Sequence, residues 1–424
     1  MVKLTSVRAD QILDSRGNPT VETWVSGGPG EFRAQVPSGA STGKHEALEL
    51  RDGGMEFGGK GVLRAVSNVN GAISETICGK EFSGLREIDS AMIMRDGTPN
   101  KSALGANAIL GVSMAAARLI SSENGSELFQ FLSSFSGRDP VMPVPLLNII
   151  NGGVHAGGEL AVQEFQIVPS GFVKFSDALR CASEIYQHLK THLKKKFGPL
   201  AVNIGDEGGF APPVSRTAEA LDAITVAISE AGYSPGKEVY LAIDAAASEF
   251  YRNGKYRMDG MELEPAELSD HYLSLASKYP LVSIEDPFDE EAFDDFAAFR
   301  AAAGKRLQVI GDDLYATNTS RIRLGIEKKS TSAVLIKLNQ IGTVSETVDS
   351  TLLAIGAGMN TVVSHRSGET ADDFIADLAV GTGTGQIKTG APARGERVVK
   401  YNRLLEIERK HPEIGFAGHS VFSR

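Results

Sequence analysis

Five residues able to do polar chemistry each stand at the end of a short apolar run. Asp244 follows Val239 to Ile243, Glu285 follows Leu281 to Ile284 and Asp312 comes just after Leu307 to Ile310. Lys337 follows Ala333 to Ile336, and His365 comes just after Thr361 to Val363. Neighbouring members of this set are 25 to 41 residues apart, close to one strand-plus-helix unit of about 30 residues. In a parallel β/α barrel the C-terminal strand ends converge on one face, so residues distant in sequence become neighbours. Three carboxylates gathered in that way repel one another unless a cation lies among them. Ligands that are all oxygen select Mg2+, with Mn2+ as a substitute, over zinc. Any one of these acids by itself reads equally well as a helix cap or a surface charge; three in the same register favour a metal site.

Lys337 interrupts an otherwise apolar strand, and a buried lysine needs a partner or a task. Beside a metal its ammonium form is disfavoured, which lowers its pKa and suits a general base; a plain salt bridge to one of the carboxylates is the competing reading. Gly205-Asp206-Glu207-Gly208-Gly209 puts an acid in a tight turn. If Glu207 faces Glu164, in Gln163-Glu164-Phe165, the two carboxylates push their pKa values apart and one stays protonated as a general acid. Read alone, the same turn is an ordinary loop with a solvated charge. Ser364-His365-Arg366-Ser367 offers a cation and hydroxyls to a phosphate, and Lys388 adds a second cation one unit later. Both cations also fit structural ion pairs. His155, in a Gly-rich stretch, is by itself more often a packed or solvated histidine than a catalytic one.

The elements that must position these groups change character along the chain. From Leu4 to Ala34, short strands broken by Gly17-Asn18-Pro19 and Gly27-Gly28-Pro29-Gly30 predict an antiparallel meander. Pro37 to Gly61 is irregular and Gly-rich, a length usually kept for functional lids. Residues 62–78 and 101–122 read as helices, the second as a close-packed core helix rich in Ala and Gly. Beyond a Ser-rich stretch near 133–142, buried strands alternate with amphipathic helices. One helix carries Leu221, Ile224 and Ile228 with Thr217 as its cap, and another carries Leu268, Tyr272 and Leu275 and stops before Pro280. The expected division is residues 1–135 as a smaller α+β domain with mobile active-site loops and residues 136–424 as the β/α barrel. The fold class is α/β.

Composition bounds the function. The 424 residues carry a net charge of -10, which argues against general affinity for nucleic acid or anionic lipid. Two cysteines, Cys78 and Cys181, make no disulfide framework. No signal peptide or membrane-spanning run is present, so a cytoplasmic enzyme with no membrane or nucleic-acid partner is expected.

Taken together, the motifs resemble the enolase family nearly end to end. The segments that carry the resemblance are Asp14 to Thr20, Pro37 to Gly43, Gly205 to Pro212, Ser283 to Pro287, Gly311 to Leu314, Ser364 to Thr370 and Gly385 to Pro392. The resemblance implies an α+β domain followed by a modified barrel with an antiparallel start. It implies reversible dehydration of 2-phosphoglycerate to phosphoenolpyruvate, with Asp244, Glu285 and Asp312 holding the first Mg2+. Lys337 would take the C2 proton and Glu207 would assist loss of the C3 hydroxyl. Glu164, Gln163 and His155 would contact the substrate around Glu207, with His365 in support. Arg366 and Ser367 would hold the phosphate, Lys388 the carboxylate end, and Ser41 on the mobile loop a second Mg2+. A Lys or His base working with one or two Mg2+ is already established for this superfamily, so that division of labour follows from the resemblance. A homodimer or a ring of dimers is also implied. Sister dehydratases acting on sugar acids generally lack the Ser41 loop and the Arg366-Ser367 cradle. A further binding role, as a surface receptor or an RNA-decay partner, has no targeting segment or basic stripe to support it.

Overall fold

The structure, a computed structural model, describes residues 1–39, 43–153 and 160–422. Near the N-terminus, β1 (Ser6–Leu13), β2 (Pro19–Gly27) and β3 (Gly30–Gln35) form the antiparallel meander in that order. The turn between β1 and β2 is closed by its own acid: Asp14 Oδ1 accepts the Arg16 and Asn18 N–H groups at 2.8 and 2.9 Å, a local bond that favours turn over strand. The helix expected over 62–78 forms as Leu63–Asn68, Val69–Ile73 and Ser74–Ile77, with its middle piece widened to a π-turn. Two helices follow, α1 (Leu85–Asp96) and α2 (Ala106–Glu123). The Ala and Gly content of α2 has a packing reason. A Cβ on Gly111 would lie 2.6 Å from the Thr23 methyl of β2, so only glycine lets helix and sheet approach this closely. A third helix, α3 (Leu128–Ser136), leads towards the second half of the chain.

There β4 (Val144–Asn151), β5 (Glu164–Val168), β6 (Tyr240–Asp244), β7 (Leu281–Glu285), β8 (Gln308–Gly311), β9 (Ala333–Ile336), β10 (Asn360–Ser364) and β11 (Gln386–Lys388) close into a barrel. The order round the ring is β7-β8-β9-β10-β11-β4-β5-β6. Pairs β4–β5 and β5–β6 are antiparallel and the others parallel, the irregular start that the resemblance implies. The apolar runs become strands buried on both faces, because helices cover the outside: α4 (Phe175–Phe197), α5 (Thr217–Glu230), α6 (Pro265–Lys278), α7 (Phe293–Ala303), α8 (Thr319–Lys328), α9 (Val344–Gly356), α10 (Phe374–Gly381) and α11 (Gly395–Lys410).

One capping expectation fails. Thr217 is the first residue of α5 and not its cap; its N–H and hydroxyl both bond Asp259, at 2.7 and 2.9 Å, while Glu219 accepts the Arg216 N–H. A distant acid therefore outcompetes the local cap. The two halves of the chain are joined by buried and half-buried polar contacts. Arg118 on α2 makes a bidentate pair with Asp372 at 2.8 Å, and Lys101 reaches Glu346 on α9 at 3.0 Å. Asp89 on α1 accepts the Ser345 N–H at the start of α9, at 3.1 Å. Among the described residues, no helix is long and apolar enough to cross a membrane.

Candidate active site

Strand register assembles the acids before any side chain is considered. Glu164 pairs with Asp244 across β5 and β6, and Asp244 pairs with Glu285 across β6 and β7. Glu164 opens its strand while the other two end theirs, but β5 runs backwards, so all three reach the same rim of the barrel. Asp312 follows β8, Lys337 follows β9, and Lys388 pairs with Ser364 across β11 and β10.

The cleft at this rim is lined by Gln163, Glu164, Glu207, Asp244, Asp312, Lys337, His365, Arg366, Ser367 and Lys388, together with Gly39, Glu249, Asp286 and Asp313. The sequence-derived candidates among the described residues thus share one cavity, except Glu285, which joins them through Lys388. Ser41 and His155 lie outside the described residues.

The Lys388 ammonium sits among three acids. It donates to Asp244 Oδ2 at 2.8 Å and to both Glu285 oxygens at 2.9 Å, and it lies 3.1 Å from Glu164 Oε1. Burial disfavours a charged lysine, yet Asp244, Glu164 and Glu285 outweigh it and hold the pKa well above the ordinary lysine value. One positive charge does not neutralise the group. Burial, then the charge of Asp244, drives Glu285 well above the ordinary carboxylate range; burial, then Glu207, does the same to Glu164. Asp312 is pulled the other way. Burial would raise it, but Lys337 lowers it, bonded to Oδ2 while Gln340 donates to Oδ1 at 3.0 Å. In the same pair Lys337 is raised, burial being outweighed by Asp312. The lowering expected from sequence is for a lysine beside a metal ion; with Asp312 as its partner the ammonium form is the favoured one.

Opposite this group, Glu207 projects from a turn that glycine makes possible: a Cβ on Gly209 would fall 2.1 Å from Asn151 Oδ1. Asn148 donates to Glu207 Oε2 at 3.0 Å, and Gln166 to Glu164 Oε2 at 2.9 Å. Ligand atoms of Glu164, Glu207 and His365 lie within 4.8 Å of one another, so the facing carboxylates expected from sequence are present. His365 is kept neutral: burial, with Arg397 and both lysines adding to it, lowers its pKa well below the usual value against the pull of Glu207. Arg397 donates to His365 Nδ1 at 2.6 Å, which leaves the proton on Nε2, 3.8 Å from Glu207 Oε2.

Several functional partners were not visible in the spacing. Arg397, fully buried, also donates to the carbonyls of Arg366 and Ser367 at 2.6 Å and of Asp206 at 3.0 Å, tying the His365 loop to the Glu207 turn. Arg366 is gripped by Glu46 at 3.0 and 3.1 Å and by Asn339 at 2.8 Å. Arg16 reaches the Gly39 carbonyl at 3.0 Å and Ser367 Oγ at 3.5 Å. These contacts join loops from 23 to 351 residues apart, and no local pattern encodes them. Asp286 is another case, since its carboxylate accepts the N–H groups of Asp312 and Asp313 at 2.9 and 2.8 Å and so shapes the turn after β8. The residues after the metal candidates are strained. Ala246, Asp286, Ala316 and Thr317 have φ of 45°, 39°, 46° and 51°, at about 1–3 kcal/mol each, a cost typical of functional sites.

The donor set fits a hard divalent cation. Among the described residues the cleft lining has Glu164, Glu207, Asp244, Glu249, Asp286, Asp312 and Asp313 against Lys337, Arg366 and Lys388. A buried surplus of carboxylate oxygens is what Mg2+-like ions require. Oxygens of Asp286, Asp312 and Asp313 also lie within 4.8 Å of one another, but Asp286 spends its oxygens on the backbone.

Comparison with known proteins agrees with this architecture. Residues 4–132 match the model described as "Enolase, N-terminal domain", and residues 139–424 match "Enolase, C-terminal TIM barrel domain". The chain is 54% identical over 410 residues to an enolase from Thermococcus gammatolerans, covering 96% of this chain and 95% of the relative. It is 52% identical over 419 residues to an enolase from Methanocaldococcus jannaschii, covering 99% and 98%. An enolase from Methanopyrus kandleri is 54% identical over 411 residues, covering 96% of each chain. With two family models spanning nearly all of its length, its motifs and its irregular barrel in agreement, the chain belongs to the enolase family of metal-using glycolytic hydro-lyases, the phosphopyruvate hydratases.

Proposed function

We propose that the enzyme interconverts 2-phosphoglycerate and phosphoenolpyruvate, with Lys337 as the base at C2 and the Glu164–Glu207 pair as the acid that assists loss of the C3 hydroxyl. One observation carries this reading. Round an eight-stranded ring, β9, which ends at Lys337, and β5, which begins at Glu164, are four strands apart and so stand on opposite walls. A base on one wall and a carboxyl pair on the other suit removal of a proton and a hydroxyl from opposite faces of one small molecule.

Asp244, Glu285 and Asp312 would hold the Mg2+, and Ser41 would help with a second. Magnesium, when bound, supplies positive charge where the substrate carboxylate gains its second negative charge. Lys388, already among the metal candidates, would face that carboxylate end. Arg366, held in orientation by Glu46 and Asn339, would meet the phosphate with Ser367 beside it. Glu164 and Glu207 are mutually repelling, so one retains a proton and can deliver it to the departing hydroxyl. His365, neutral and turned towards Glu207 by Arg397, would orient that pair, and Gln163 and His155 would complete the wall around it. The handover from ion pair to base at Lys337 requires Asp312 to give its charge to another cation, which is the task assigned to the metal position.

We take residues 1–135 and 136–424 as the two domains, and a cytoplasmic homodimer or ring of dimers as the working form. Cys78 and Cys181 are both free thiols, which supports a reducing compartment. The test of the reaction is ultraviolet absorbance of phosphoenolpyruvate formed from 2-phosphoglycerate, in Mg2+ and then in excess EDTA. Activity that needs the metal supports the proposal; a folded, Mg2+-loaded enzyme that leaves 2-phosphoglycerate unchanged would overturn it.

A further inference from the structure

At the opposite, N-terminal end of the barrel lies a second cavity of about 530 Å3, within the range of small-molecule sites. It opens where β8, β9 and β10 begin, beside Gln308, Ser332 and Asn360, and is bounded by the last turns of α7 and α8. Its charge is one-sided. Arg300, Lys305, Lys328 and Lys329 line it, and among the described residues no carboxylate does. Lys328 is answered by Asp294 at 2.7 Å. Arg300, Lys305 and Lys329 make no ion pair among the described residues. In a chain of net charge -10, exposed lysines have acids available almost everywhere, so three unanswered cations round one concavity are a local field for an anion. The remaining wall is apolar, formed by Leu307, Phe422 and the alanines of α7.

We propose that this cavity binds a phosphorylated small molecule with an aromatic or apolar part, such as a nucleoside diphosphate. Its phosphates meet Arg300, Lys305 and Lys329, and its ring lies against Phe422 and Leu307. A guanidinium beside two ammonium groups suits a diphosphate, whose oxygens outnumber what one cation satisfies. Ser332 and the exposed Gly358 at the rim let polar groups of the ligand approach the backbone. The site is separate from the catalytic cleft, although β8, β9 and β10 lead from it to Asp312, Lys337 and Arg366.

The experiment is calorimetric titration of ADP into the full-length protein, with the catalytic cleft saturated by Mg2+ and an equilibrium mixture of 2-phosphoglycerate and phosphoenolpyruvate. The comparison is the double variant Lys305→Ala, Lys329→Ala, both exposed positions outside the catalytic machinery. ADP should bind the wild type under these conditions and bind the double variant about tenfold more weakly or worse, with lyase kcat and KM unchanged. Inorganic phosphate, which has nothing to place against Phe422, should bind more weakly than ADP. Absence of ADP binding at millimolar concentration, binding indifferent to the double substitution, or displacement of ADP by the lyase substrates would each overturn the proposal. Equal affinity for phosphate and ADP would likewise overturn it, since the apolar part of the ligand would contribute nothing.

Discussion

Replacing Lys388 by Met keeps the length and apolar stem of the side chain and deletes only its charge. In the structure that charge is shared by Asp244, Glu285 and Glu164 at 2.8 to 3.1 Å. A single unit pair at about 3 Å is worth about 5 kcal/mol gross at an effective dielectric of about 20. Breaking a buried pair by removing one partner costs about 3–5 kcal/mol net, and part of the difference is proton uptake by the acids left behind. Burial already raises Glu164 and Glu285 well above the ordinary range, and Lys388 is the group that opposes this. Without Lys388 they rise further, so the native variant binds more protons than its unfolded chain over the window between the ordinary and the raised values. Its stability therefore increases as pH falls through that window. Urea unfolding of both proteins in EDTA should give a deficit of about 3–5 kcal/mol at pH 8 that shrinks at pH 6. Mg2+ at a hundredfold excess over its dissociation constant for the variant should stabilise the variant by about 2.7 kcal/mol, and the wild type, whose acids are already held by Lys388, by less. A variant as stable as wild type at pH 8, or a deficit that grows at pH 6, would refute the picture of three ionisable acids held by one ammonium.

Two further predictions concern the seam between the halves of the chain. Burial pushes Asp89 up to about 6, against the bond it accepts from Ser345. The native state therefore gains a proton between about pH 4 and pH 6 and loses its relative stability as pH rises, by about 3 kcal/mol in all. Subtracting the unfolding free energy of Asp89→Asn from that of wild type should give a difference falling by about 2 kcal/mol from pH 4.5 to pH 7, the part of the whole that lies in that window; a flat difference would contradict it. Asp372→Ala leaves the half-buried Arg118 only Asp373 at 3.1 Å and the Arg33 carbonyl at 2.7 Å, and should cost about 1.5–3 kcal/mol in urea unfolding. Asp294→Ala, which breaks only the exposed Lys328 pair, should cost under about 1 kcal/mol.

The barrel was legible because its strands are buried on both faces and announce themselves as apolar runs ending in a charged residue. Asp244, Glu285, Asp312 and Lys337 fell into register for that reason. Glu164 was harder, since it begins an antiparallel strand and breaks the rule that active groups end theirs; only the facing-carboxylate argument and the family resemblance drew it in. The partners that hold these groups, Arg397 behind His365, Glu46 on Arg366 and Asn148 on Glu207, were not legible. Their contacts cross 32, 320 and 59 residues, and a single buried Arg, Glu or Asn carries no periodicity to mark it. The Lys337–Asp312 ion pair matches the salt-bridge alternative that the sequence left open beside the general base, because spacing does not say whether the nearest charge is a carboxylate or a metal.

The proposed division of labour, with Lys337 removing the C2 proton and the carboxyl pair on the opposite wall serving the C3 hydroxyl, is tested most directly by following exchange of the C2 hydrogen of 2-phosphoglycerate with deuterated solvent, by proton NMR in Mg2+, for wild type, Lys337→Ala and Glu207→Gln. Lys337→Ala should lose both exchange and phosphoenolpyruvate formation, whereas Glu207→Gln should retain exchange and form phosphoenolpyruvate about 10²–10⁴-fold more slowly. Exchange persisting at the wild-type rate in folded Lys337→Ala would contradict it.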